Sequence, residues 1–232
     1  MTKESLIEEI SILGISSNNK LLECLLVDTL KANEKFNLTA IKDEDKFREL
    51  MIYDSLIPLT LIDFNNKKVL DIGTGAGFPG LVLAMSSINS EFTLLDSTKK
   101  KIDHINELVN KYELTNVKGV SARAEEYINN HRETFDIVTA RAVSELNVLV
   151  ELALPFVKVD GYFIALKGLK GNEELASAKG AIKLLGGEVI SINESTLPES
   201  KEKRINIVIK KIKETNKKYP RLYKDIVAKP LK

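Results

Sequence analysis

The chain has no tryptophan, and its 232 residues include one cysteine, Cys24, and two histidines, His104 and His131. A lone thiol cannot close an intramolecular disulfide, which excludes a disulfide-stapled fold. One cysteine with two scattered histidines makes no metal-ligand cluster, so no metal site is expected. No apolar run approaches the ~18 residues of a membrane span, and the acidic, amphipathic start Met1-Thr-Lys-Glu-Ser is unlike a secretory leader. A soluble, reducing, cytoplasmic setting with no metal and no membrane partner fits these absences, and a monomer is expected.

What is present is enough for a packed core: 44% of residues are hydrophobic and 29% charged, a balance unlike that of disordered chains. The net charge of +1 hides an asymmetry. Residues 1–60 carry 7 Lys/Arg and 11 Asp/Glu, residues 61–200 carry 15 and 19, and residues 201–232 carry 12 and 3. A basic end on a mildly acidic body suits a polyanion partner, although a solvated basic strand and tail would look the same.

Residues 1–65 read as helices. Leu6, Ile10 and Leu13 share one helical face, as do Leu22, Leu25, Leu26 and Leu30, with a third helix from Asp43 towards Pro58. Cys24 falls in the second helix and is expected in its core. From residue 66 the pattern alternates between strands and helices. Strands are expected at 67–72, 91–95, 117–121, 135–140, 162–166, 188–192 and 204–209, and helices from Pro79, around Ile102–Tyr112, over 145–157 and over 172–185. This is an open, doubly wound α/β sheet whose last two strands, joined without a helix, form an antiparallel hairpin.

The first strand ends in Asp71-Ile-Gly-Thr-Gly-Ala-Gly-Phe-Pro-Gly80. Gly73, Gly75 and Gly77 let a ligand approach bare backbone, and the helix that follows offers amides to an anion. Gly75-Ala-Gly77-Phe-Pro-Gly80 also satisfies the dinucleotide fingerprint, so an NAD-linked oxidoreductase is the competing reading. Asp71 argues against it. A pyrophosphate beside a strand-end carboxylate is unfavourable, whereas the ammonium and sulfonium of S-adenosyl-L-methionine suit one. Asp96, closing the second strand, suits a ribose diol in either cofactor.

Six segments carry a wider likeness: Asn37-Leu-Thr-Ala-Ile41, Asp54-Ser55, the glycine loop, Ala122-Arg-Ala-Glu-Glu126, Thr139-Ala-Arg-Ala-Val143 and Leu166-Lys-Gly168. In order and spacing the chain resembles the bacterial small-subunit rRNA guanine-N7 methyltransferase G family, also known as glucose-inhibited division protein B. The resemblance implies a class I S-adenosylmethionine-dependent methyltransferase fold with cofactor contacts at Gly73, Phe78, Ala124, Glu125 and Arg141. It also implies a guanine acceptor in 16S rRNA, free or within the small ribosomal subunit. Two positions depart from the family: Met51 stands where a histidine is usual, and Leu222-Tyr-Lys-Asp-Ile replaces the Gly- and Pro-rich residues usual after Tyr219-Pro-Arg221.

The residues also narrow the chemistry. Methylation of a pyrimidine carbon needs a cysteine nucleophile, and Cys24 is far in sequence from the loop. The fourth strand ends in Thr139-Ala-Arg, without the Pro-Pro-aromatic turn that orients an exocyclic amine. Guanine N7 carries no proton and needs no general base, so positioning suffices. Arg123, Arg141 and Asn37 are the positioning candidates, and a salt bridge or a helix cap is the ordinary alternative for each. RNA phosphates are expected at Lys167, Lys210, Lys211, Lys213, Lys217, Lys218 and Arg221, and neutralising several of these should flatten the salt dependence of RNA binding. A non-enzymatic ribosome-assembly factor with a relic loop is a further alternative.

Overall fold

Apolar and β-branched runs supply seven strands of one sheet. The computed structural model describes residues 1–232 and contains β1 (Lys68–Ile72), β2 (Glu91–Asp96), β3 (Val117–Ser121), β4 (Phe135–Arg141), β5 (Val157–Lys167), β6 (Gly187–Thr196) and β7 (Lys203–Lys211). Their order is β3-β2-β1-β4-β5-β7-β6. The first five run parallel, and β7 lies antiparallel to both β5 and β6. The hairpin is therefore present, with its second strand inserted beside β5. Strand order reverses between β1 and β4, which opens a crevice beyond their carboxyl ends.

The helices are α1 (Lys3–Ile12), α2 (Asn19–Phe36), α3 (Glu44–Phe47), α4 (Asp54–Leu56), α5 (Gly80–Ser86), α6 (Lys99–Lys111), α7 (Ala124–Tyr127), α8 (Leu146–Ala153), α9 (Gly171–Leu184) and α10 (Tyr223–Ala228). Alternate strand residues feed two cores. On one face Val69, Phe92, Ile137 and Ile164 pack with Leu6, Leu22, Leu26 and Leu81. On the other Leu70, Val138, Phe163 and Ile207 pack with Leu149, Ala178 and Ile182. The helices before residue 65 share a core with the sheet, so the change of pattern at residues 65–66 separates two stretches of sequence rather than two cores. No helix is long and apolar enough to cross a membrane.

Four local departures have physical reasons. The helix expected from Asp43 to Pro58 is broken into α3, a π-helical stretch Arg48–Tyr53, α4 and a 3-10 turn. Arg48 is held there by Glu23, Glu44 and Asp45 at 2.9–3.0 Å, and such π turns commonly free a carbonyl for another use. The helix expected over 145–157 stops at Ala153, and Val157 already pairs with Phe135 in the sheet. Cys24 is exposed rather than buried, because Leu22, Leu25, Leu26 and Thr29 form the buried stripe of α2. Lys211, expected on RNA, is 0% exposed. Its ammonium donates to the Leu154 and Val157 carbonyls and pairs with Glu133 at 3.0 Å. It is a structural cation, because a buried charge needs this many partners.

Candidate functional site

The glycine loop lies at the switch point. Gly73, Gly75 and Gly77 have φ of +67°, +61° and +100°, backbone that side-chain-bearing residues avoid. Pro79 caps α5 rather than forming its first residue. Nearly every loop amide is already committed. The N–H groups of Gly73 and Thr74 donate to the Leu95 carbonyl, and those of Gly77 and Phe78 to the Thr74 carbonyl. Gly75 N–H donates to Asp96 at 3.0 Å and Gly80 N–H to Asp71 at 3.0 Å. A dinucleotide site needs these donors free for its pyrophosphate. Here two of them bind the chain's own carboxylates.

Asp71 therefore acts differently from expectation. It is 0% exposed and accepts from Thr139 Oγ1 at 2.8 Å as well as from Gly80. It tethers the loop to β4 and borders neither of the two cavities at the crevice, so, contrary to expectation, it does not line the site. Burial pushes its carboxyl up to about 6, against the pull of Thr74, Thr139, the Gly80 amide and Arg141. A carboxyl raised in the folded state contributes most stability below its unfolded value, and that contribution is lost as pH rises through the folded value. The stability of the native protein relative to Asp71→Asn should accordingly fall by about 3 kcal/mol in all between about pH 3 and pH 7, about 2 kcal/mol of it between about pH 4 and pH 6, and level off above that. Denaturant melts of both proteins across that range check this, and a difference independent of pH would refute it.

Two adjoining cavities open at the crevice. The larger, of about 710 Å³, is bounded by Leu38, Met51, Gly75, Phe78, Arg141 and Lys167 among others. The smaller, of about 320 Å³, is bounded by Asp96, Arg123, Ala124, Glu125, Leu152 and Tyr223 among others. Gly73, Lys101, Ala142 and Val143 border both. The structure thus brings together Gly73, Gly75, Phe78, Asp96, Ala124, Glu125, Arg123, Arg141 and Lys167. Phe78 is buried edge-on against Phe47, with ring centroids 5.3 Å apart. Gly77 lies outside both cavities, where a Cβ would meet Leu81 at 2.4 Å, so its role is close helix packing. Lys101 lines both cavities, whereas Lys99 pairs with Asp103.

Arg141 is a wall element. Its guanidinium donates to the Leu50 carbonyl at 3.0 Å, lies 3.4 Å from Asp54 and reaches the Met51 sulfur at 3.5 Å. Met51 thus occupies the cavity side of the π-helical stretch. Asp54 also pairs with Arg204 at 3.0 Å, so one buried carboxylate serves two guanidiniums. Burial pushes Arg141 below its ordinary value, and Asp54 and Asp71 oppose that shift. Asn37 is corrected: it caps α2 in the left-handed region at φ 49° and is exposed outside the cavities. The neighbours Leu38, Thr39 and Ile41 line the larger cavity instead, held by buried Asn33, which accepts from Thr39 N–H.

Most of the cations expected on RNA are paired within the chain or lie away from the cavities. Lys167 is buried and pairs with Glu174 at 2.7 Å, Lys210 pairs with Asp160 at 2.9 Å, and Arg221 is clamped to buried Glu151. Exposed Lys213, Lys217 and Lys218 flank Thr215 and Tyr219. These two are bonded to Glu133, Leu185 and Arg132, of which Arg132 and Glu133 just precede β4, at the end of the parallel strands opposite the crevice. The sequence assigns Arg204 and Tyr223 no site role, because packing delivers them from remote segments, and it presents Asp54 and Val143 only as members of matched segments.

Comparison with known proteins follows the same lines. A family model described as rRNA small subunit methyltransferase G matches residues 18–206. A Lactobacillus helveticus protein named Ribosomal RNA small subunit methyltransferase G is 44% identical over 197 residues, 83% of this chain and 82% of its own. One of the same name from Oceanobacillus iheyensis is 42% identical over 227 residues, 95% of each chain. Among solved structures, a SAM-dependent methyltransferase from Aquifex aeolicus shares the fold, with a TM-score of 0.53 and 19% identity over 72% of this chain and 93% of its own.

Proposed function

The chain belongs to the rRNA small subunit methyltransferase G family, and from that premise we propose that it moves a methyl group from S-adenosyl-L-methionine to N7 of one guanine in 16S rRNA. The observation that carries the cofactor reading is the commitment of the loop amides. With Gly75 N–H on Asp96 and Gly80 N–H on Asp71, the loop has little left to offer a phosphate, and of the two carboxylates Asp96 borders the smaller cavity, where a cationic or hydroxylated ligand fits. Gly75 supports the same fit: a Cβ there would meet no side chain and only the Gly73 carbonyl, at 4.0 Å, so its bare backbone faces open cavity.

When bound, S-adenosyl-L-methionine supplies an electrophilic methyl group on a sulfonium. The chain's own residues supply position. Asp96 and Glu125 border the smaller cavity and suit ribose hydroxyls and the adenine edge. Leu38, Leu50, Met51 and Phe78 give the larger cavity apolar walls that exclude water and hold a flat base. Neither histidine borders either cavity, and Arg141 is held by Leu50 and Asp54. A base-free, in-line displacement at N7 asks for nothing more than alignment.

Calorimetric titration with S-adenosyl-L-methionine and with NADH tests the cofactor, and mapping of the tritiated methyl group transferred to 16S rRNA or small subunits tests the acceptor. NADH binding without S-adenosyl-L-methionine binding, or a methyl group on any atom other than a guanine N7, would overturn the reading.

The RNA track is proposed along the crevice rim, where exposed Lys42, Lys170 and Lys203 adjoin cavity residues Ile41, Gly168 and Arg204. Replacing all three by Gln should reduce the slope of log K against log[salt] by up to about 3, near one for each lost phosphate contact. Replacing Lys213, Lys217 and Lys218 should change it by less than about 1. Filter binding over a salt series distinguishes the two surfaces, and the reverse outcome would restore the C-terminal track.

A further inference from the structure

The smaller cavity has one wall that neither the glycine loop nor the sheet provides. Tyr223, the first residue of α10, borders it and is its only aromatic side chain. Tyr223 is 36% exposed, yet the helix that carries it is set by buried anchors. Ile226 is fully buried with Val148 and Leu152. Just before the helix, Arg221 donates from its backbone N–H and its guanidinium to Glu151, at 2.9 and 2.6 Å. The Arg123 guanidinium lies over the Tyr223 ring, 5.8 Å from its centroid, and restricts it further. With the helix that carries it fixed, Tyr223 has less freedom to lose on meeting a ligand.

We propose that Tyr223 is a cofactor-binding residue, whose ring packs on the purine of the bound adenosine group. The proposal rests on the S-adenosyl-L-methionine reading of the crevice and adds a contact made by this chain's own C-terminal helix. The smaller cavity is the compartment with carboxylates Asp96 and Glu125 and the aliphatic surfaces of Ile72, Leu95 and Ala124. A flat, uncharged purine needs apolar faces and a polar edge. Aliphatic side chains give one face, Asp96 and Glu125 give polar partners, and Tyr223 is the aromatic surface left for stacking.

The test uses the absence of tryptophan, which leaves the six tyrosines as the emitters near 300 nm. In the full-length protein, S-adenosyl-L-methionine should quench part of the tyrosine emission, and Tyr223→Phe should bind with a Kd within about twofold of the native value but lose that quench. Tyr223→Ala should raise the Kd about tenfold by calorimetry, with S-adenosylhomocysteine affected equally because the purine is common to both. A quench that survives Tyr223→Phe, or a native Kd in Tyr223→Ala, overturns the proposal and leaves the cofactor reading intact. Failure of the native protein to bind S-adenosyl-L-methionine overturns both. The emission comparison uses the near-isosteric Phe variant, so it stands even if the Ala variant folds poorly.

Discussion

Replacing Asp54 with Ala is expected to lower the free energy of unfolding by about 3–4 kcal/mol, a large share of the ~5–15 kcal/mol that stabilises most domains. Asp54 is 3% exposed and is the shared counter-charge of Arg141 and Arg204, at 3.4 and 3.0 Å. Removing it leaves two guanidiniums in a poorly solvated place, and the nearby Arg204 charge already disfavours the Arg141 cation. Part of the loss is softened because Arg204 keeps Glu202 at 3.0 Å and some solvent, which puts the value towards the lower end of the range for broken buried pairs. The loss should also reach function. Arg141 ties β4 to the Leu50 carbonyl and to Met51, both in the wall of the larger cavity. Without Asp54 that wall loosens, and methyl transfer should fall further than S-adenosyl-L-methionine affinity. Removing Arg204 as well, in Asp54→Ala with Arg204→Met, should recover about 1 kcal/mol, because the Arg204 charge then no longer opposes the Arg141 cation that Asp54 has left. Denaturant melts of the single and double variants read this directly, and a single-variant loss under about 1 kcal/mol would sink the account.

What the sequence disclosed and what it withheld follow from how far apart the interacting residues are. The central strands were legible because they bury both faces and so read as apolar runs: Phe163, Ile164, Ala165 and Leu166 are all buried in β5. The start of β5 was hidden by Leu154-Pro155-Phe156, whose apolar residues continue the helical pattern of α8 while forming a 3-10 turn. Helix α10 gave no signal, since one buried residue, Ile226, makes no period. The burial of Lys211 was in fact written in the alternation: Ile205, Ile207, Ile209 and Lys211 occupy the same face of β7, and the first three are core. Charge outweighed period in that expectation. The cofactor side of the crevice was readable because Gly73, Gly75, Phe78 and Asp96 sit at strand ends and in one loop. Its other walls come from Leu38, Met51, Arg204 and Tyr223, separated by most of the chain, and only packing brings them to one place. Asp71 shows both sides at once: its importance was visible, but its role as a tether depends on a Thr139 hydroxyl that sequence spacing alone does not aim.

Gly73→Ala is expected to abolish most cofactor binding, raising the Kd for S-adenosyl-L-methionine by at least about 30-fold, the equivalent of about 2 kcal/mol. Two separate penalties act there. Gly73 has a φ of +67°, where an Ala costs roughly 1–2 kcal/mol. Its Cβ would also lie 2.6 Å from Val143 Cγ2, an overlap that must push Val143 aside. Val143 borders both cavities, as does Gly73, so its displacement narrows the passage that one ligand must span. Gly75 separates strain from obstruction. It has nearly the same φ, +61°, but a Cβ there would meet only the Gly73 carbonyl, at 4.0 Å. Gly75→Ala should therefore lower the melting temperature by only about 2–4 °C per kcal/mol of strain, while any larger loss of binding reports a methyl group standing in the ligand's space. Adding Val143→Ala to Gly73→Ala relieves the overlap and leaves the backbone strain, so affinity should return part of the way and stability should not return fully. Calorimetry and thermal melts on the four proteins separate the penalties. Near-native binding by Gly73→Ala would mean that the ligand does not cross this junction, and no change on adding Val143→Ala would mean that the overlap is not what excludes it.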